Sequence, residues 1–277
     1  MYKDISVVMT GSDGDDHALR LSVPLARHFN ARLLPWQVVE LPDPAYNTWA
    51  VVPDPGAERV HEKLRHAAAE LAGHAQALLT DAKADARQVH VVEALNVSAW
   101  EAATRECFGS DLIVVGKPDQ PAMLRQHAQG IATLLLQSGR PVLVIPEESS
   151  LPAPPKNVLV AWRPAAEAAR ALHDALPFLQ SAETVQIVAY DDMDAHEPER
   201  RHALLNHLRR HGVNATSFAD ESQGADLTGL LFAHARKANA DLIVAGGYGH
   251  SRLREWALGG VTQYLLTTSR IPVFLSH

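Results

Sequence analysis

Hydrophobic residues along the chain form short unbroken runs separated by helical patterns, and this order occurs twice. In the first half the apolar runs predict strands near 4–10, 32–40, 88–93, 111–116 and 141–146. In the second half they predict strands near 157–162, 184–190, 214–219, 241–246 and 271–276. Continuous apolar runs are typical of parallel strands that are buried on both faces of a sheet. The pattern therefore predicts two parallel α/β units in one chain.

The segments between these strands carry helical periodicity. From 165 to 179 the apolar side chains recur on one stripe, formed by Ala168, Ala171, Leu172, Ala175, Leu176 and Leu179. A further helix is predicted from Val261 to Ser269, directly before the last strand. The stretch 41–55 has no counterpart in the second half. Because its repeated prolines disfavour regular structure, it predicts a long loop or lid over the first unit.

Direct repetition supports the division into two copies. The segment Asp111-Leu-Ile-Val-Val-Gly116 recurs as Asp241-Leu-Ile-Val-Ala-Gly246, 130 residues later. In each copy a proline-opened apolar strand follows. Between the copies lies a proline-rich stretch that reads as a stiff, extended linker. We therefore expect domains at 1–147 and 157–277, with a linker at 148–156.

Composition narrows the class of protein. A chain of 277 residues exceeds the ~100–150 residues of a typical domain and suits two. The formal net charge of −7 disfavours a surface for nucleic acid or for an anionic membrane. The apolar runs are far shorter than the ~20 residues that a bilayer span needs. With a single cysteine and no apparent signal peptide, the expected location is the cytoplasm.

A glycine pattern in the second copy is the strongest candidate for chemistry. Gly246 and Gly249 follow the fourth strand, and Gly259 and Gly260 precede the helix that includes Val261. Glycines at a strand end let backbone N–H groups approach phosphate oxygens, and a helix N-terminus adds donors and a favourable dipole. Further side-chain donors are available from His250, Ser251 and Arg252. The alternative is that one pair shapes a tight turn and the other breaks a helix.

The two α/β copies and this glycine spacing resemble the universal stress protein family in its tandem form. The family pattern Gly-x2-Gly-x9-Gly-Ser/Thr is matched at Gly246, Gly249 and Gly259. The resemblance implies two tandem open five-stranded parallel sheets with helices on both faces, of the adenine-nucleotide α-hydrolase-like fold. It also implies pairing through the last strand, either in a homodimer or as an intrachain pseudo-dimer.

Three departures from the family pattern concern the ligand. The Ser/Thr of the motif is Gly260 here, so one phosphate-facing hydroxyl is missing. The family aspartate after the first strand is matched by Arg163 in the second copy and by Thr10 in the first. Asp119 stands where the first copy should have its second glycine, and a carboxylate there repels phosphate. The first copy is therefore expected to have lost nucleotide binding.

The leading hypothesis is a stress-response or signalling protein without enzymatic activity. In it, ATP or AMP, with or without Mg²⁺, binds to the second copy through the glycine loop. The backbone of Ala161, Trp162 and Arg163, with Val188 on the next strand, would hold the base. Two alternatives remain open. One is an interaction module, or a small-ligand module, with vestigial pockets. The other is an enzyme acting at the α-phosphate through His250, which rests on analogy of fold alone.

Other candidate sites have weak support in the sequence. His61 and His66 are spaced i, i+5, which places the two imidazoles off one helical face. His207 and His211 have i, i+4 spacing but are surrounded by arginines, so a helix face is favoured over a metal site. The acidic run after the second strand of copy two, with Asp191 and Asp192, is read mainly as a solvated loop. Cys107 is expected to be a buried structural thiol.

Overall fold

The computed structural model describes residues 1–42, 55–190, 197–220, 227–248 and 260–277. These residues form two compact units, Tyr2–Arg140 and Pro141–His277. The domain boundaries expected from the sequence, at 147 and 157, stay a prediction. The predicted lid lies almost wholly outside the described residues, since these end at 42 and resume at 55.

The first unit is a four-stranded parallel sheet with helices between its strands. Along the chain its elements are β1 Asp4–Met9, α1 Asp15–Phe29, β2 Arg32–Leu41, α2 Pro55–Asp81, β3 His90–Leu95, α3 Ala99–Cys107, β4 Leu112–Lys117 and α4 Pro121–Gln137. The strand order is β3-β2-β1-β4, with parallel pairing throughout. The order therefore reverses between β1 and β4, the position where open sheets bind ligands beyond the strand ends.

The second unit repeats this arrangement and extends it. Its elements are β5 Val142–Pro146, β6 Asn157–Trp162, α5 Ala166–Asp174, α6 Leu176–Ser181, β7 Thr184–Tyr190, α7 Glu197–Arg210, β8 Ala215–Asp220, α8 Leu227–Lys237, β9 Leu242–Gly246, α9 Gly260–Thr268 and β10 Val273–Ser276. The strand order is β5-β10-β9-β6-β7-β8, and β9, β6, β7 and β8 pair in parallel. All ten predicted strands are thus present, within one or two residues of their predicted ends.

The predicted α/β fold with parallel strands is confirmed, and β5 departs from it in direction. It pairs antiparallel with β10, with Val144 opposite Val273 and Leu143 opposite Phe274. Both strands are fully buried, and β5 belongs to the compact unit that begins at Pro141. The apolar run was read correctly as a strand, but such a run carries no information on the direction of its partner. The sheets of this α/β fold are mostly parallel, not entirely so.

The helix predicted over 165–179 is interrupted. The structure has two helices there, α5 ending at Asp174 and α6 beginning at Leu176, with Pro177 in the first turn of α6. Proline lacks an N–H and its ring clashes with the carbonyl four residues earlier, so it disfavours continuation of a helix, although α1 accommodates Pro24 in its interior. The predicted stripe is nevertheless largely buried, and Leu176 alone of its six members is half-exposed. The predicted helix at 261–269 is present as α9.

Candidate functional site

The backbone positions predicted to contact a nucleotide base lie side by side in the second unit. Ala161 on β6 is in register with Val188 on β7 and with Ala245 on β9. Trp162 and Gly246 end the strands β6 and β9. Since β6 lies where the strand order reverses, these residues share the edge at which ligands of open sheets bind. The structure therefore brings Ala161, Trp162, Val188 and Gly246 to one edge.

Gly246 has a packing role that the glycine pattern did not reveal. A Cβ atom added there would lie 2.6 Å from the backbone nitrogen of Ala168 and 2.7 Å from the carbonyl carbon of Glu167. The first turn of α5 therefore packs directly on the end of β9, and only glycine leaves room for it. This is an alternative reason for glycine at 246, independent of any phosphate.

Arg163 is held by the protein itself. Its guanidinium donates to the carboxylate of Glu167 one helical turn later, and it pairs with that group as an ion pair. The Glu167 side chain is 5% exposed, whereas that of Arg163 is 57% exposed. The position that carries an aspartate in the family pattern thus presents a cation neutralised by a buried carboxylate beside Gly246. That combination differs from the nucleoside contact which the resemblance implies.

Part of the predicted phosphate loop lies outside the described residues. This holds for Gly249, His250, Ser251, Arg252 and Gly259. Gly260 is the first residue of α9, and a Cβ there would meet none of the described residues within 4 Å. Val261 is half-buried and Thr262 is buried.

In the first unit the backbone N–H groups of the loop after β1 donate hydrogen bonds to a carboxylate of the protein itself, that of Asp15. Oδ2 of Asp15 accepts hydrogen bonds from the backbone N–H groups of Thr10, Gly11 and Ser12, at 2.8, 2.8 and 3.0 Å. The Ser12 hydroxyl donates to Oδ1 at 2.8 Å. Burial raises the pKa of Asp15 to about 6, although these hydrogen bonds act in the opposite direction. The N–H groups that could face an external anion are already occupied.

Two glycines of the first copy also serve packing. A Cβ at Gly116, the counterpart of Gly246, would lie 2.2 Å from the carbonyl oxygen of Gly14, just before α1. A Cβ at Gly130 would lie 2.0 Å from the indole of Trp100. Gly130 is thus the place on α4 where the Trp100 ring from α3 rests. Close approach therefore explains the glycines at 116 and 130 without a ligand.

A cavity of about 310 Å³ opens among β2, α2, α3 and α4 of the first unit, at the end of β1. Its lining is mainly apolar, with Val39, Leu64, Leu71 and Ala68 among the contributors. Its polar and aromatic lining comes from Thr10, Gln37, Glu40, Trp100, Gln126 and His127. The cavity lies beside the strand-order reversal of this unit, where a ligand is expected in an open sheet.

His127 is the most unusual polar group of this cavity. The side chain is 7% exposed, and among the residues that the structure describes its Nε2 atom has no hydrogen-bond partner. Burial lowers the pKa of His127 to about 4, while a hydrogen bond to the backbone of Gly116 acts in the opposite direction. Trp100 packs edge-to-face on the ring at a centroid distance of 4.8 Å. No periodicity or spacing in the sequence had singled out this residue.

Groups suited to metal binding or nucleophilic chemistry are not assembled in the described part of the chain. No cluster of three or more His, Cys, Asp or Glu side chains there could hold a metal ion. His207 on α7 and His211, just after the end of that helix, pack edge-to-face with ring centroids 4.6 Å apart. Cys107 is fully buried, and burial raises the pKa of its thiol to about 12, which disfavours a reactive thiolate. Asp191 and Asp192 lie outside the described residues.

Comparison with known proteins gives two matches to one family in tandem. The sequence profile of the universal stress protein family matches residues 1–146 and again residues 155–277. No curated protein matches the chain. None of the described helices combines the length and apolar content needed to cross a bilayer.

Two of the solved structures resemble the chain over 99% of its length, and a third covers about half of it. A universal stress protein from Archaeoglobus fulgidus DSM 4304 superposes with a TM-score of 0.76 at 15% identity, covering 99% of this chain and 95% of that one. A functionally unknown protein from Pseudomonas aeruginosa PAO1 gives a TM-score of 0.60 at 15% identity, covering 99% and 92%. A universal stress protein in complex with cAMP is 19% identical, covers 53% of this chain and 99% of its own, and has a TM-score of 0.37.

Proposed function

Since the chain belongs to the universal stress protein family, we propose that its second repeat binds an adenine nucleotide, ATP or AMP. The observation that carries the proposal is the glycine pattern from Gly246 to Gly260, set between β9 and α9. A strand, a glycine loop and a helix N-terminus in this order suit a phosphate, because backbone N–H groups and the helix dipole both favour an anion.

The strand register supports the same edge for the base. Ala161 and Val188 are direct neighbours, and Gly246 ends the strand on the other side of β6. Their backbone N–H and C=O groups can form hydrogen bonds with the polar edge of a base, while the glycine loop after Gly246 would bind the phosphates. Arg163 replaces the family aspartate at this edge, and its guanidinium is paired with Glu167. Mg²⁺ would accompany ATP through its phosphate oxygens.

The role proposed for the bound nucleotide is regulatory. The described residues do not bring together an acid and a base at this edge that would act on a phosphate, so we propose signalling in a stress response without catalysis. Binding would shift the protein toward the conformation that holds the nucleotide, and a partner would read the altered surface. We also propose that the antiparallel β5–β10 pair is the family's last-strand contact formed within one chain, as an intrachain pseudo-dimer rather than a homodimer.

Calorimetric titration with ATP, ADP, AMP and cAMP, with and without Mg²⁺, tests the nucleotide proposal. We expect ATP or AMP to bind. G249D should weaken that binding by at least about tenfold, because its carboxylate would repel the phosphates; the first copy has a carboxylate, Asp119, at the matching position. The matched control is G109D, at an exposed turn where an added Cβ would meet none of the described residues within 4 Å. Absence of heat at millimolar nucleotide would disprove the proposal.

One observation favours a second candidate, a module that binds no nucleotide. The Arg163–Glu167 ion pair places a buried carboxylate next to Gly246, where a phosphate would have to come close. Under this alternative the second pocket is vestigial. A thermal-shift screen in which a non-nucleotide metabolite raises the unfolding temperature, while ATP and AMP do not, would favour it.

A further inference from the structure

We propose that a basic patch on the second repeat docks an extended acidic segment of a partner protein, and that docking tightens as the pH falls below neutrality. This histidine patch consists of His173 on α5, His207 and Arg210 on α7, and His211 just after that helix. His211 lies shortly before β8, whereas the glycine loop follows β9 at the other edge of the sheet. The proposal therefore goes beyond the nucleotide function and does not depend on it.

The segment that supplies most of the patch is basic in an acidic chain. From Arg200 to Gly212 there are four arginines, three histidines and no acidic residue, although the whole chain has a formal net charge of −7. The helix dipole favours cations in the last turn of a helix, which explains basic residues at the ends of α5 and α7 separately. It does not explain why the two basic ends lie against each other, where positive charges repel.

The three imidazoles of the patch form a cluster across two helices. The ring centroids of His207 and His211 are 4.6 Å apart, and those of His173 and His211 are 6.2 Å apart. His173 and His207 are exposed, as is Arg210, and His211 is half-buried. Gln180 on α6 donates from Nε2 to the carbonyl oxygen of His211 at 2.9 Å, which fixes the backbone there. The rings are therefore held together by the fold and face solvent.

The charges inside the patch are all of one sign. The pKa of His207 is lowered, first by the partial burial of its ring and then by the positive charges of His211, Arg210 and His173. No carboxylate is among the groups that act on it. Protonation of the patch therefore brings like charges close together, and carboxylates supplied by a partner would relieve that repulsion.

The charged groups on the neighbouring segments do not neutralise the patch. Asp174 on α5 accepts a hydrogen bond at 2.6 Å from the hydroxyl that ends β10, and Glu183 forms an ion pair with Lys156 at 3.2 Å. Arg170 and Arg209 add positive charge on the same two helices. Among the described residues the local charge is thus positive, and it rises as imidazoles gain protons below about pH 6.5.

An extended acidic peptide suits this patch better than a nucleic acid or an anionic membrane does. Alternate side chains of an extended chain lie about 6.6 Å apart, close to the 6.2 Å between the rings of His173 and His211. Glutamates keep their charge down to about pH 4.3, so they stay anionic where the histidines become cationic. Duplex DNA, with a charge every ~1.7 Å, would extend beyond the patch onto an acidic protein.

Fluorescence anisotropy with rhodamine-labelled hexaglutamate on the nucleotide-free full chain tests the proposal. At low ionic strength we expect binding about tenfold tighter at pH 5.5 than at pH 7.5, because three imidazoles each add a modest attraction. Labelled hexalysine, a 12-base-pair DNA duplex and phosphatidylserine vesicles should all bind more weakly. Absence of hexaglutamate binding, equal affinity at both pH values, or tighter binding of the DNA or the vesicles would overturn the proposal.

Two double variants locate the pH dependence. H207Q/H211Q removes two imidazoles of the patch, so it should lose most of the gain in affinity at pH 5.5. H66Q/H74Q removes two exposed histidines from α2 in the first repeat, and it should keep the full gain. If both variants kept the gain, or both lost it, the pH dependence would not belong to the patch.

A pair of charge reversals locates the docking surface. R210E should weaken hexaglutamate binding about tenfold at both pH values, because it places a carboxylate among the imidazoles. R59E makes the same change in net charge at an exposed position on α2 and should bind as the wild type does. Equal weakening by both would assign the binding to overall charge instead. Since the probes and pH values are also compared on the wild type, the test does not depend on the folding of any variant.

Discussion

Burial of individual charged and polar groups sets the chemistry of the first repeat. His127 is neutral at physiological pH because its ring is removed from water, and the nearby charge of Lys117 acts in the same direction. Asp13 and the Gly116 backbone act in the opposite direction but do not outweigh burial. A buried neutral histidine contributes hydrogen bonding and packing rather than charge. Its burial makes protonation of the folded protein unfavourable.

His127 should therefore make stability depend on pH. Its pKa is lowered from 6.5 to about 4 in the folded protein, so between these values the unfolded chain binds more protons and stability falls as the pH falls. Between pH 7 and pH 4.5 we expect the wild type to lose about 2–3 kcal/mol more than H127F does. Urea unfolding at both pH values measures this difference. H66F should lose as much stability as the wild type does. If H127F lost an equal amount, the pH dependence could not be attributed to His127.

The residues of this site show where sequence reasoning reaches its limit. A phosphate loop is predicted from the sequence because Gly246, Gly249 and Gly259 lie at fixed spacing in one segment, and it stays a prediction. His127, Trp100 and Gly130 carry no such pattern, since they come from two helices and become a unit only when α3 packs on α4. The hydrogen bonds from the loop after β1 to Asp15 could not be predicted from the sequence either. An acidic residue in the first turn of a helix is common for electrostatic reasons alone.

At the scale of elements, close contact between a strand end and a helix start recurs in both units. Gly116 meets the residues just before α1, and Gly246 meets the first turn of α5. The sequence repeat at Gly116 and Gly246 therefore has a structural cause besides any ligand. Strand positions were predictable because buried parallel strands are continuous apolar runs. The break between α5 and α6 at Pro177 was missed because the apolar stripe continues across it.

This contact predicts a large effect for a single methyl group. G246A should destabilise the protein by about 2 kcal/mol, because its Cβ would overlap backbone atoms of α5 that cannot rotate away. G73A is the matched control, since Gly73 lies exposed inside α2 and no described residue comes within 4 Å of an added Cβ. Removing a helical glycine there should stabilise by about 0.5–1 kcal/mol. Thermal unfolding of both variants measures the contrast, and a neutral G246A would argue against the close approach.

At the scale of the whole chain, the two repeats have the same order of strands and helices along the sequence but differ in strand pairing. The β5 strand ends the first matched segment, 1–146, yet it pairs with the last strand of the second. The two-copy architecture was predictable from repetition. The pairing was not, because direction and partner are decided by packing of the complete sheet.

The register of β5 and β10 predicts a specific cross-link. Val144 and Val273 are directly opposite, at a separation typical of disulfides, so V144C/V273C should oxidise to a disulfide. V144C/L275C is offset by two residues, beyond disulfide reach, and should not. On a non-reducing denaturing gel an intrachain link keeps the mass of a single chain, 30.1 kDa, whereas a homodimer linked through these strands would have twice that mass. Oxidation of the offset pair alone would show a different register.

The β5–β10 pair also bears on how the protein is made. A ribosome releases Val144 long before Val273, since 129 residues separate them, and elongation at about 5–20 residues per second makes the interval roughly 6–26 s. During that time β5 lacks its partner β10, and an unpaired apolar strand edge is a site where chains associate wrongly. Nascent chains of this protein are therefore expected to need protection at residues 142–146 until synthesis is nearly complete.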